Sequence, residues 1–164
     1  EDMHHTISVL VVNQSGVLSR VSGLFSGRGF NIESLNVAET NDSGISRMTI
    51  VTRGDDKKIE QVTKQLNKLV DVIKVIDLTE ENFVDRELIL VKMNAEARVR
   101  EEILRIVDIF RAKVIDVNPD SYTVEITGDE GKTKGFLDLL KPLGIKEVVR
   151  SGRIAISRGI KPIN

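Results

Sequence analysis

Apolar and polar positions change period along the chain, and each change marks an element. Residues 7–12 are one apolar run, short enough for a buried strand. After Asn13-Gln14-Ser15-Gly16, apolar residues recur at Val17, Leu18, Val21, Leu24 and Phe25, the spacing of a helix with one face on a sheet. Gly27 and Gly29 end that helix, where a left-handed residue is needed. Residues 30–39 form the next strand, but its phase shifts. Phe30 and Ile32 face one way and Leu35 and Val37 the other, so a bulge is expected near Glu33-Ser34. Asn41-Asp42-Ser43-Gly44 makes a hairpin turn into a return strand over residues 45–52. Gly54-Asp55-Asp56 opens a second helix, with Ile59, Val62, Leu66 and Leu69 on its apolar face, and residues 72–78 give a fourth strand.

That order, βαββαβ, then repeats. A polar linker, Thr79-Glu80-Glu81-Asn82, leads to a strand at residues 87–93 and a helix marked by Val99, Ile103, Ile106, Val107 and Phe110. Residues 113–117 and 122–127 flank the turn Asn118-Pro119-Asp120-Ser121. Phe136, Leu137 and Leu140 mark a last helix, residues 145–149 a last strand, and residues 152–158 extend that sheet. The expected fold class is α+β: two tandem ferredoxin-like βαββαβ units, divided as residues 1–80 and 81–164.

The first strand-to-helix turn is the candidate chemistry. It sets a helix N-terminus directly after a strand, with Gly16 where a side chain would otherwise stand. Free backbone N–H groups and the positive end of the helix dipole suit a small anion such as a carboxylate. No nucleophile and base accompany it, so the turn reads as a place that binds rather than reacts. On pattern alone it is equally a plain connection, and Asn31 alone is an ordinary residue at a strand start. The equivalent turn of the second half, Asn94-Ala95-Glu96-Ala97-Arg98, lacks the glycine and puts a carboxylate where an anion would sit. The first half is therefore expected to bind a ligand and the second not.

Composition narrows the function classes. The net charge of −1 gives no electrostatic case for nucleic acid or an anionic membrane, and neither half is a basic arm. Without cysteine there is no disulfide framework or thiolate metal site. No apolar run approaches a membrane span and no signal-peptide pattern opens the chain, which fits a cytoplasmic protein. Glu1-Asp2-Met3-His4-His5 has no pattern; His4 and His5 read as a frayed end rather than metal ligands. Arg150, Arg153, Arg158 and Lys161 form a basic stretch, read as a solvated face and tail, with an acidic patch on a partner as the sharper alternative. A phosphatase would need an arginine within the first turn, and the nearest, Arg20, lies inside the helix. An RNA-binding sheet would need exposed aromatics, yet aromatic residues are only 4% of the chain.

The runs SVLVVNQSGVLSRVSGLFSGRGFNIESLNV, SRMTI and QLNKLVDVIKV, with the later ILVK, IFRAKVIDV and RSGRIAISRG, resemble the small regulatory subunit of bacterial acetohydroxyacid synthase (acetolactate synthase) over nearly the whole chain. The first block is also similar to an ACT domain, a βαββαβ module that binds amino acids. The resemblance implies a chain with no catalysis or cofactor of its own. Its partner would be a separate catalytic large subunit using thiamine diphosphate, magnesium and FAD. The small chain would activate that subunit and confer feedback inhibition, usually by valine, in branched-chain amino-acid (valine and isoleucine) biosynthesis. The family's effector loop falls on Asn13, Gln14, Ser15, Gly16, Val17 and Leu18, and its partner-side asparagine on Asn31, next to Ile32.

In this fold the sheet order is usually 4-1-3-2, which makes the Asn31 strand an edge and places Asn31 at the opposite end of the sheet from Gly16. Two such edges pairing antiparallel about a two-fold axis would bring the partner's copy of that strand to the Gly16 turn. The expectation is a homodimer through the ACT domains with a shared effector site. The alternative is an ACT-type amino-acid sensor serving another biosynthetic enzyme or a repressor, which gives no reason for the RSGRIAISRG ending.

Overall fold

The computed structural model describes residues 3–160; Glu1, Asp2 and Lys161 lie outside them. Twelve elements follow in order: β1 (Met3–Val12), α1 (Val17–Gly27), β2 (Ile32–Glu39), β3 (Ile45–Gly54), α2 (Asp56–Asn67), β4 (Val72–Asp77), β5 (Phe83–Asn94), α3 (Arg100–Ile109), β6 (Lys113–Val117), β7 (Ser121–Gly128), α4 (Glu130–Gly144) and β8 (Ile145–Ser157). They form two four-stranded sheets, ordered β2-β3-β1-β4 and β6-β7-β5-β8. The order is the same in both, each first strand lies inside its sheet, and both units are ferredoxin-like as the repeat predicts.

In the first unit, Ile7, Val9 and Val11 of β1 alternate onto one face of the sheet. There they meet Val17, Val21 and Phe25 of α1 and Ile59, Val62 and Leu66 of α2. Burying one such side chain contributes about 1.5–3 kcal/mol, so this face carries most of the stability of the unit. The β2–β3 register slips between Ile32 and Ser34, which is the expected bulge. Its consequence is that Ile32 and Leu35 both pack on the core although they are an odd number of residues apart. The second unit repeats the layout with Ile89, Val91 and Met93 of β5 against Ile103 and Val107 of α3 and Phe136 and Leu140 of α4.

The chain divides into two compact units, Glu1–Val84 with Arg153–Asn164, and Asp85–Gly152. The end of β8 thus belongs with the first unit, whereas a cut near Glu81 assigns it to the second. Hydrogen bonds explain the return: the Arg153 N–H donates to Ser34 Oγ (2.8 Å), Ser157 Oγ to Glu81 Oε2 (3.3 Å), and the Arg158 N–H to the Asn82 carbonyl (3.0 Å). This stretch accompanies the face of the first sheet that the helices leave bare.

The first terminal stretch differs from expectation. His4 and His5 are not a frayed end: both lie in β1, paired with Arg53 and Thr52 of β3. His5 is buried, with Nδ1 2.9 Å from Asp77 Oδ2 and Nε2 3.3 Å from Asp56 Oδ1, the latter close but not aligned as a hydrogen bond. The alternation that buries Ile7 and Val9 extends back to His5, where a polar ring is held by carboxylates instead of apolar neighbours. In the basic stretch Arg150 and Arg158 are exposed, as a solvated face requires, and Arg150 also pairs with Glu87, a carboxylate only 5% exposed.

Candidate functional site

The site begins where β1 ends. The Asn13 N–H donates to the Gly44 carbonyl (2.9 Å), and its side-chain amide donates to the Ser43 carbonyl (3.0 Å) and Glu39 Oε1 (3.1 Å). Asn13 therefore ties the strand end to the neighbouring hairpin and fixes where the turn starts. The Gln14 N–H folds back on the Val12 carbonyl (2.9 Å). Gly16 stands at φ 85°, in the left-handed region that side chains resist, and its carbonyl accepts the first helical bond from the Arg20 N–H (3.1 Å). Val17 drops into the core at 3% exposure and anchors the first turn. Gln14, Ser15, Gly16 and Leu18 stay exposed.

Helix α1 starts differently from the other three. Asp55 caps α2 by accepting from the Lys58 N–H (2.8 Å), and Asp129 caps α4 by accepting from the Lys132 N–H (2.9 Å). Helix α3 carries Glu101 and Glu102 in its first turn. Helix α1 has neither a side-chain cap nor an acid in its first turn. Its terminal N–H groups and dipole therefore lack the carboxylate that the other helices supply internally.

Arg20 changes the electrostatics of this turn. A Cβ built on Gly16 would stand 3.0 Å from Arg20 Nη1, so the guanidinium folds back over the turn. Asp71 holds it there, accepting from Nε at 2.8 Å and from Nη2 at 2.5 Å. Sequence reasoning placed Arg20 inside the helix and gave it no part; the missed signal is its position one helical turn after Gly16, which puts the two on the same face. Nothing in the sequence pointed to Asp71, which comes from the loop before β4.

Asn31 and Ile32 lie elsewhere in the same chain. Ile32 pairs with Thr52, and Thr52 with His5, seven residues along β1 from Val12. At about 3.4 Å per residue this is roughly 24 Å from the Gly16 turn. Asn31 is exposed, its carbonyl accepts from Thr52 Oγ1 (2.8 Å), and Ile32 packs partly on the core. One chain thus assembles Asn13, Gln14, Ser15, Gly16, Val17 and Leu18 into one turn and leaves Asn31 and Ile32 at the far end of the sheet.

The second unit resolves the same turn internally. Glu96 accepts from Asn94 Nδ2 (3.3 Å) and Arg98 Nε (3.0 Å). The Arg98 hydrogen bond and charge, with the Asn94 amide behind them, hold the Glu96 carboxyl below its ordinary pKa. Glu96 thus pairs within its own turn.

Both units match known families. Residues 7–74 match the family described as an AHAS small subunit-like ACT domain, and residues 86–159 the family described as the small subunit of acetolactate synthase. The chain is 54% identical to a probable acetolactate synthase small subunit of Archaeoglobus fulgidus, over 97% of this chain and 99% of that one. It is also 54% identical to the acetolactate synthase small subunit of Aquifex aeolicus, over 94% of this chain and 81% of that one. The chain belongs to the acetolactate synthase small-subunit family. In structure it is similar to the acetolactate synthase small subunit of Thermotoga maritima, with a TM-score of 0.86 and 42% identity over 97% of this chain and 99% of that one. In this family the small chain is the regulatory, non-catalytic partner of a catalytic subunit. The match extends through the second unit, which a free-standing amino-acid sensor would not require. Among the described residues no cluster of His, Asp and Glu could hold a metal ion, and no helix is long and apolar enough to cross a membrane.

Proposed function

We propose that this chain activates the catalytic large subunit of acetolactate synthase and confers feedback inhibition by a branched-chain amino acid, valine foremost. The effector carboxylate would sit at the N-terminal N–H groups of α1, above Gly16 and beside Arg20. The observation that carries this reading is the start of α1: an uncapped helix, opened by a left-handed glycine, with a guanidinium folded over it. Asn13, Gln14, Ser15, Val17 and Leu18 would line the rest of the turn. The reaction itself, with thiamine diphosphate, magnesium and FAD, would belong to the catalytic chain.

The separation of Asn31 from Gly16 supports a homodimer through the ACT domains. Strand β2 is an edge, and antiparallel pairing of two β2 edges about a two-fold axis would bring Asn31 and Ile32 of the second protomer to the Gly16 turn of the first. An effector spanning both chains would then bias dimer geometry, which is how it could act on a distant catalytic partner.

Mixed dimers test the shared site. Gly16→Asp and Asn31→Ala homodimers should each lose valine inhibition of the reconstituted enzyme. A dimer with one chain of each kind should regain one intact site, built from the wild-type turn of one chain and the wild-type Asn31 of the other. No recovery in the mixed dimer would place the whole site within a single chain and overturn the model.

A further inference from the structure

The face of the first sheet turned away from the helices is unusual in its polarity. On β1 it carries Thr6, Ser8 and Leu10, all buried. Leu10 stands directly opposite Arg47 of β3 and Lys74 of β4, and Ser8 opposite Thr49 and Ile76. Two cations therefore flank one leucine in a single cross-strand row, about 10 Å apart at Cα from the strand spacing. Among the described residues neither the Arg47 nor the Lys74 side chain has a hydrogen bond or an ion pair, and both residues are only partly exposed.

Over these residues lies a cavity of about 580 Å³, contained within the first unit, with Ile156, Ser157 and Gly159 from the returning end of the chain on its far side. Ser8 belongs to its floor; the residue is only 2% exposed and its hydroxyl has no hydrogen-bond partner among the described residues. An orphaned buried hydroxyl costs stability unless something occupies it. The acids at the cavity do not answer this demand. Asp77 accepts from the Thr79 N–H (3.0 Å) and lies 2.9 Å from His5 Nδ1, and Glu81 accepts from Ser157 Oγ.

We infer that this cavity is a binding site for a small dianion, a phosphate or a dicarboxylate, held between Arg47 and Lys74 with one oxygen accepting from the Ser8 hydroxyl. The long side chains of Arg47 and Lys74 can converge on one phosphate or bracket two carboxylates, since each is flexible and charge-assisted donors are strong. Ile76 and Ile156 add apolar surface beside these cations. The site lies on the opposite face of the sheet from the helices, so it does not depend on the effector reading of the Gly16 turn.

The test is calorimetry and amide NMR on the full chain with inorganic phosphate and with malonate, at constant ionic strength set by chloride. Saturable shifts at Ser8, Leu10, Arg47 and Lys74 are expected with at least one of the two anions, and the better binder identifies the source as phosphate or carboxylate. Arg47→Gln and Lys74→Gln should each weaken binding at least tenfold. Ser8→Ala should weaken it several-fold while leaving the thermal midpoint of the free protein unchanged or raised, because it removes an unpaired group; a merely structural serine would lower the midpoint. Gly16→Asp should leave anion binding intact. The inference is overturned if neither anion binds saturably, or if an Arg47→Gln, Lys74→Gln double variant binds as the wild type does.

Discussion

Residues 13–18 and 94–99 occupy equivalent turns in two units of one topology, yet they are built to opposite ends. In the first unit the turn ends in a left-handed glycine, the helix has no cap, and a guanidinium leans over the opening. In the second, Glu96 fills the turn and is held by Asn94 and Arg98. Both turns bring a cation near the start of a helix; Arg20 is paired with Asp71 from the loop before β4, whereas Arg98 is paired with Glu96 of the turn itself. A scaffold can therefore be duplicated with its packing intact while the turn after its first strand is built differently in each copy.

The largest effect that would break this comparison is Gly16→Asp, which turns the first turn into a likeness of the second. The new carboxylate would satisfy the α1 N–H groups and pair with Arg20, so valine affinity should fall by about 100-fold or more, about 3 kcal/mol. The left-handed backbone adds strain of roughly 1–2 kcal/mol, which the core tolerates. Titrating valine against reconstituted enzyme and against the isolated chain checks both; unchanged inhibition would reduce the turn to a connection. Dimerisation should separate the units next. Leu35→Pro or Val37→Pro in β2 removes a ladder donor from the proposed interface and should weaken self-association at least tenfold, whereas Ile115→Pro in β6 should not. Sedimentation at low concentration reads this, and two dimeric β2 variants would end the edge-pairing model.

The glycines that close the third strands sharpen the contrast in packing. A Cβ on Gly54 would lie 2.1 Å from Phe30 Cε1, so Gly54→Ala must displace a core ring adjacent to Asn31. We expect a cost of about 1–3 kcal/mol, read as a lower thermal midpoint, and weaker effector binding. At Gly128 the nearest atom is Lys132 Cδ (2.6 Å), part of a flexible side chain, and the same change should cost less. Arg20→Ala should weaken valine binding about tenfold by removing the cation beside the proposed carboxylate site, while Arg98→Ala leaves it unaltered. Equal losses would mean that Arg20 acts only through the fold.

Glu96→Gln has the smallest expected effect. The folded-state pKa of Glu96 is lowered, so its contribution is present above its unfolded pKa and is lost as pH falls through the folded value. The variant should therefore melt slightly below the wild type at neutral pH and alongside it in acid. A gap that widened in acid would contradict the ion-pair account.

Periodicity alone fixed the element order, the duplication, the β2 bulge and the two apolar faces, because side-chain burial repeats every two residues in a strand and about every 3.6 in a helix. The turn proposed for the effector was also legible as a structural feature, a glycine between a strand and a helix. What local pattern cannot contain is contact across the chain. The Arg20–Asp71 pair joins residues 51 apart in sequence. The return of residues 153–160 to the first unit rests on bonds to Ser34, Glu81 and Asn82. The row Arg47–Leu10–Lys74 exists only because β3 and β4 flank β1. His5 looked like part of a loose end because its partner carboxylate, Asp77, lies 72 residues away. Each of these depends on strand pairing and loop closure, which bring distant charges together without leaving a trace in the local alternation of apolar and polar residues.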